Sequence, residues 1–125
     1  MRRIPLEEVI YMHSELIRET GGSDGIRDMG LLESAVNAPF QSFGGYDVYS
    51  TIYKKATRLG FGLAQNHRLI DGNKRIAAHY VLTFLRGNGI EIDCTEHELF
   101  SVFYNLAASA VTFDELVNWL TNHSS

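Results

Sequence analysis

Residues 73–89 read NKRIAAHYVLTFLRGNG, and the apolar positions in that run decide the fold class. Ile76, Ala77, Tyr80, Val81, Phe84 and Leu85 recur at the three- and four-residue spacing that gathers side chains on one helical face. Gly87-Asn88-Gly89 supplies the stop. The Ala77-Ala78 pair lets neighbouring backbones approach closely, which predicts a central place for this helix. The same period holds on both sides of it. Upstream, Ile52, Ala56, Leu59 and Leu63 predict a helix running toward Asn66. Downstream, Thr95-x-x-Glu98 and Thr112-x-x-Glu115 are capping boxes. The first precedes Leu99, Val102, Phe103 and Leu106, and the second precedes Leu116, Val117 and Leu120. Between the Gly87-Asn88-Gly89 stop and the first box, Ile90-Glu91-Ile92 is at most a brief extended piece.

Toward the N-terminus, Leu6, Val9, Ile10, His13, Leu16 and Ile17 share a face of another helix, opened by Pro5 and ended by Gly21-Gly22. A short helix is predicted over 29–37, with Asp28 as its N-cap and Pro39 closing it. Phe40 to Ser50 breaks the pattern, with Gly44-Gly45 between Phe43, Tyr46 and Tyr49, and reads as an irregular loop or a short hairpin. The fold class is all-α, a compact helical bundle of one domain spanning 1–125.

Composition narrows the function. The 125 residues carry 11 Lys+Arg against 15 Asp+Glu, a formal net charge of −4. This balance gives no general attraction to nucleic acid or to an anionic membrane, so no direct nucleic-acid binding is expected. Hydrophobic residues at 45% and charged residues at 21% are ordinary for a folded domain and argue against disorder. Cys94 is the one cysteine, which excludes an intramolecular disulfide and points to a reducing, cytoplasmic location. Glu7 and Glu8 interrupt the apolar stretch that a secretory signal needs after Met1-Arg2-Arg3. No window approaches the ~18 apolar residues of a membrane span.

One segment resists a purely structural reading: His67-Arg68-Leu69-Ile70-Asp71-Gly72-Asn73-Lys74-Arg75. Lys74 and Arg75 fall in the predicted first turn of a helix, where the macrodipole disfavours cations by ~0.3–1 kcal/mol each. A bound anion reverses that sign, because a helix N-terminus with free N–H groups is a ready phosphate site. Gly72 removes the Cβ where a phosphate approaches the backbone. Asp71 can cap the helix or hold a divalent metal, and His67 can act as a base. Leu69 and Ile70 can pin the loop to the core. Mg²⁺ is usually held by one or two carboxylates plus the phosphates of its substrate. Spacing alone is equally compatible with Asp71 as an N-cap among solvated side chains, and there is no glycine-rich P-loop.

The segment resembles the active-site motif of the Fic/Doc family, and more closely its Doc (death-on-curing) branch. That pattern is His-x-Phe-x-(Asn/Asp)-(Ala/Gly)-Asn-Lys-Arg, matched here at His67, Asp71, Gly72, Asn73, Lys74 and Arg75, with Leu69 in place of the phenylalanine. Gly-Leu-Leu-Glu-Ser-Ala at 30–35, after Arg27-Asp28, also looks like that branch. The resemblance implies a helical Fic fold and a toxin of a bacterial toxin–antitoxin pair. It further implies a protein kinase that uses Mg²⁺ and ATP to phosphorylate a threonine of elongation factor Tu, arresting translation. His67 would be the general base and Asp71 the Mg²⁺ ligand. Gly72 and Asn73 would bind phosphate, and Lys74 and Arg75 would neutralise its charge.

AMP-transferases of the family carry Gly-Asn-Gly-Arg-x-x-Arg. Lys74 stands in place of that middle glycine and Ala78 in place of the second arginine, so AMP transfer is the alternative the motif argues against. A catalytically inert binding module is a further alternative, opposed by the complete His67, Asp71 and Arg75 set. Phe43 to Tyr49 would correspond to the family's flap, which aligns the target's backbone, or else to an exposed loop. The internal inhibitory motif Ser/Thr-x-x-x-Glu has no copy in the terminal helices. Thr112 has Leu116 at the required offset, and Ser14 has Arg18. Inhibition is therefore expected from a separate small antitoxin.

His13 is expected as a satisfied core histidine. His79 could join His67 and Asp71 around a transition metal, but the carboxylate–phosphate reading accounts for more residues. Arg68 is expected in solvent, and Trp119, Phe113 and Leu116 in the core. Cys94 is given no catalytic role.

Overall fold

The computed structural model describes residues 7, 8, 11, 29–65 and 73–124. Glu7, Glu8 and Tyr11 are helical and exposed, as their positions off the apolar stripe require. The stripe itself, with Pro5, His13, the Gly21-Gly22 stop and the Asp28 cap, lies outside the described residues. From Met29 the chain forms helix α1 (Met29–Asn37), one 3-10 turn (Ala38–Phe40), strands β1 (Ser42–Phe43) and β2 (Tyr46–Asp47), and four further helices. These are α2 (Ile52–Gln65), α3 (Asn73–Gly87), α4 (Glu96–Ala107) and α5 (Phe113–His123). Pro39 sits inside the 3-10 turn rather than after a clean stop, because its fixed φ suits a turn as well as a helix end.

The centre is shared by two helices. α2 and α3 pack on each other most extensively, and α2 also meets α1, α4 and α5. Ala77 and Ala78 are fully buried, as close backbone approach requires. On α2 the equivalent opening is Gly60, where a Cβ would stand 3.1 Å from Phe103 Cε1 and 3.3 Å from Val81 Cγ2. Leu59, Leu63, Tyr80, Val81, Phe84, Leu85, Leu99, Phe103, Leu106, Leu116 and Leu120 close one continuous core.

Both capping boxes form. Thr95 Oγ1 accepts from the Glu98 amide at 3.1 Å while Glu98 Oε1 accepts from the Thr95 amide at 3.1 Å. Thr112 and Glu115 repeat the exchange at 3.2 and 2.9 Å. The stop after α3 also forms, with Gly89 at φ +85° and the Ile90 amide reaching back to the Leu85 carbonyl at 2.9 Å. The extended piece at 90–92 is held from a distance. Ile92 bridges antiparallel to Ser124, and the Asp93 amide donates to the His123 carbonyl at 2.7 Å.

Leu116 is core, as expected, whereas Trp119 and Phe113 are only partly buried. The Trp119 ring stacks on His123 at 4.1 Å, and Phe113 lies between Phe61 and Tyr49 at 6.0 and 5.9 Å. Both aromatics cover the rim of the core and bind adjoining segments to it. Among the described residues no helix is long and apolar enough to cross a membrane.

Candidate active site

The chemistry-bearing segment falls where the two central helices are joined. α2 ends at Gln65 and α3 begins at Asn73, so residues 66–72 form the connection between two helices that pack together. His67, Arg68, Leu69, Ile70, Asp71 and Gly72 lie outside the described residues. Asn73, Lys74 and Arg75 are the first three residues of α3. The expected electrostatic conflict is therefore present in the backbone. Two cationic residues occupy the first turn of a 15-residue helix, and that turn holds no acidic residue. A helix start that is positive in both its dipole and its side chains suits a phosphate-bearing ligand. Among the described residues no group of three or more His, Cys, Asp or Glu could hold a metal ion. Mg²⁺ on a nucleotide needs only one or two protein carboxylates, for which Asp71 remains the candidate.

His79 stands one turn beyond Arg75. Its ring meets Phe100 edge-on at 5.9 Å, a packing role between α3 and α4. Its two proposed metal partners, His67 and Asp71, lie outside the described residues. Cys94 is free and half-buried, and its thiol pKa is pushed up by burial first and then by the Glu98 and Asp93 carboxylates. A thiol kept protonated is a poor nucleophile.

The Phe40–Ser50 stretch is a hairpin. Ser42 pairs with Asp47 and Phe43 with Tyr46 across a two-residue turn. Gly44 and Gly45 have φ of +58° and +85°, so both central positions take the left-handed backbone that a type I′ turn needs and glycine alone adopts freely. Phe43 and Tyr46 are 85% and 81% exposed. Tyr49, by contrast, belongs to the base of the hairpin, with its ring against Phe113.

Sequence reading missed Lys55. Its side chain is buried, and Nζ donates to Asp47 Oδ2 at 3.1 Å and to the Tyr49 carbonyl. A signal was available. Lys55 lies four residues before Leu59 and eight before Leu63, on the buried stripe of α2, where a cation needs a partner.

Comparison with known proteins identifies the lineage. Residues 3–85, from the N-terminal segment through nearly all of α3 and including the 67–75 motif, match the family model described as Fic/DOC family. The chain belongs to the Fic/DOC family. It is 44% identical over 72 residues to Toxin Doc of Mycolicibacterium smegmatis, a match covering 58% of this chain and 55% of that protein. It is 32% identical over 92 residues to Protein kinase doc of Escherichia phage P1, covering 74% of this chain and 72% of the phage protein. The chain thus spans little more than half the length of the first relative and nearly three quarters of the second. Both are Doc proteins, the branch whose motif this family member resembles.

Proposed function

We propose that this chain is a Doc-type toxin of a toxin–antitoxin pair that acts in the cytoplasm as a Mg²⁺- and ATP-dependent protein kinase, with a threonine of elongation factor Tu as acceptor. The observation that carries the reading is the start of α3. Lys74 and Arg75 belong to its first turn, and that turn contains no acidic residue, a placement that costs stability unless an anion is bound. The relatives, one a toxin and one a protein kinase by name, support it.

When bound, Mg–ATP supplies the phosphoryl group. His67 takes the proton from the acceptor hydroxyl, work that an ordinary histidine pKa of ~6.5 suits at neutral pH. Asp71 holds Mg²⁺. Gly72 and Asn73 bind phosphate with the amides at the start of α3, and Lys74 and Arg75 offset its charge. The position at which AMP-transferases of this family carry an arginine is Ala78, which is fully buried in the core. A buried alanine supplies no cation to a nucleotide, and this favours phosphate transfer over AMP transfer.

Bacterial growth tests the reading. Expression of the wild type arrests growth, His67→Ala does not, and co-expression of the cognate small antitoxin relieves the arrest. Equal arrest by both forms would assign toxicity to binding alone, as for an inert module.

A further inference from the structure

We propose that Lys55 is a positioning residue for the protein acceptor: its ammonium sets the pose of the 42–47 hairpin that receives the acceptor chain. The proposal rests on the kinase reading above and adds to it a residue outside the 67–75 motif.

The argument begins with how little holds the hairpin. Each strand has two residues, too few to be stable without tertiary support. Its two tip aromatics are exposed and give it no anchor. Within the hairpin the Val48 amide adds a rung to the Gln41 carbonyl at 2.9 Å, and the described attachments to neighbouring helices are the Tyr49 ring on Phe113 and the Lys55 ammonium. Of these, Lys55 alone is charged and reaches from a neighbouring helix to two points of the hairpin's exit. Lys55 is 3% exposed and Asp47 58%, so the cation is buried while its partner faces water. A buried ammonium carries a desolvation cost that an apolar side chain would not. What an apolar residue could not supply is direction: two fixed acceptors, Asp47 Oδ2 and the Tyr49 carbonyl, orient the hairpin on α2.

The same helix leads to the motif. From Lys55 to Gln65 α2 rises ~15 Å at 1.5 Å per residue. An extended peptide covers that span in about four to five residues. The class of ligand is the one that the resemblance of residues 43–49 to the family's flap implies, an extended segment of the protein acceptor. Its backbone would lie along the short strands, with an apolar side chain between Phe43 and Tyr46, and its hydroxyl would be presented some residues away. A hairpin that tilts loses that register while leaving the nucleotide site untouched.

The test uses the purified full chain with Mg–ATP and elongation factor Tu as acceptor. Lys55→Met should raise KM for the acceptor about tenfold, the effect of losing a charge-assisted hydrogen bond, while KM for ATP stays unchanged. Asp47→Asn should shift the acceptor KM in the same direction, and the double variant should add little to Lys55→Met. Amide exchange at Val48 should quicken in Lys55→Met while the amides of α3 and α4 keep their protection. Wild-type values for the acceptor KM in Lys55→Met, or unchanged exchange at Val48, would overturn the proposal. If the wild type transfers no phosphate, the kinase reading fails, and the exchange comparison still decides whether Lys55 holds the hairpin. Should Lys55→Met not fold, the exposed Asp47→Asn carries the same two measurements.

Discussion

Phe43 and Tyr46 stand directly opposite each other across the hairpin, in register on one face, and both project into solvent. Paired aromatics in a sheet usually stabilise it by covering a neighbour. Here they cover nothing in the described fold. Serine at either position should therefore leave thermal stability within about 0.5 kcal/mol of wild type, as for other exposed sites. The same changes should weaken use of a protein acceptor. Melting curves and steady-state kinetics on the two variants check this together. A large loss of stability would mean that the pair is structural.

Gly60 and Phe103 make the opposite kind of contact. Alanine in a helix interior ordinarily gains about 1 kcal/mol over glycine. At position 60 the new Cβ would meet the fully buried Phe103 ring at 3.1 Å and the Val81 methyl at 3.3 Å. Overpacking of this kind costs ~1–3 kcal/mol, so Gly60→Ala should destabilise on balance. In a Phe103→Leu background, where the ring is gone, the same change should be neutral or stabilising. Denaturant titration of the four proteins gives the coupling directly.

The capping boxes make a pH-dependent contribution. Glu98 is held below the usual carboxylate range, first by its hydrogen bond from the Thr95 amide and then by that from the Thr95 side chain. Glu115 is lowered in the same order by Thr112. A carboxylate whose folded pKa is depressed contributes stability above its unfolded pKa of ~4.3 and loses it as pH falls through the folded value. Acid titration of the melting temperature should show this loss, and Glu98→Gln with Glu115→Gln should flatten it. Thr95→Ala and Thr112→Ala should each cost about 1 kcal/mol at neutral pH, read from denaturant midpoints.

These features differ in how far the sequence reveals them. Thr95, Glu98, Thr112 and Glu115 act within one turn of chain, so spacing alone locates α4 and α5. Periodicity also places α2, whereas Pro39, read as the close of α1, sits inside the 3-10 turn that follows it. Lys55 is hard to read from sequence because its partners, Asp47 and Tyr49, reach it only through the fold. Trp119 and Phe113 sit at core spacing, yet their place on the rim depends on what packs around them. The pairing of Ile92 with Ser124 joins residues far apart in sequence. At the candidate site, the clash of Lys74 and Arg75 with a helix start is visible in the sequence and present in the fold. The geometry of His67, Asp71 and Gly72 lies outside the described residues, and their roles rest on chemistry and family resemblance.

Asp71 offers a clean separation of roles. If its carboxylate holds Mg²⁺, Asp71→Ala should weaken binding of Mg–ATP and leave binding of metal-free ATP little changed. Calorimetric titration with and without Mg²⁺ makes the comparison. Equal affinity of wild type and variant for Mg–ATP would remove Asp71 from the metal site and return it to the capping role.

The central claim is phosphate transfer with His67 as base, and one labelling experiment addresses it most directly. Purified protein, Mg²⁺ and elongation factor Tu are incubated with ATP labelled at either the α- or the γ-phosphate, with His67→Ala in parallel. The account predicts label on the acceptor from the γ-position only, and a rate reduced ~10²–10⁴-fold in the variant. Label from the α-position would show AMP transfer and contradict the reading of Lys74 and Ala78, and an undiminished rate in His67→Ala would contradict the role of the histidine.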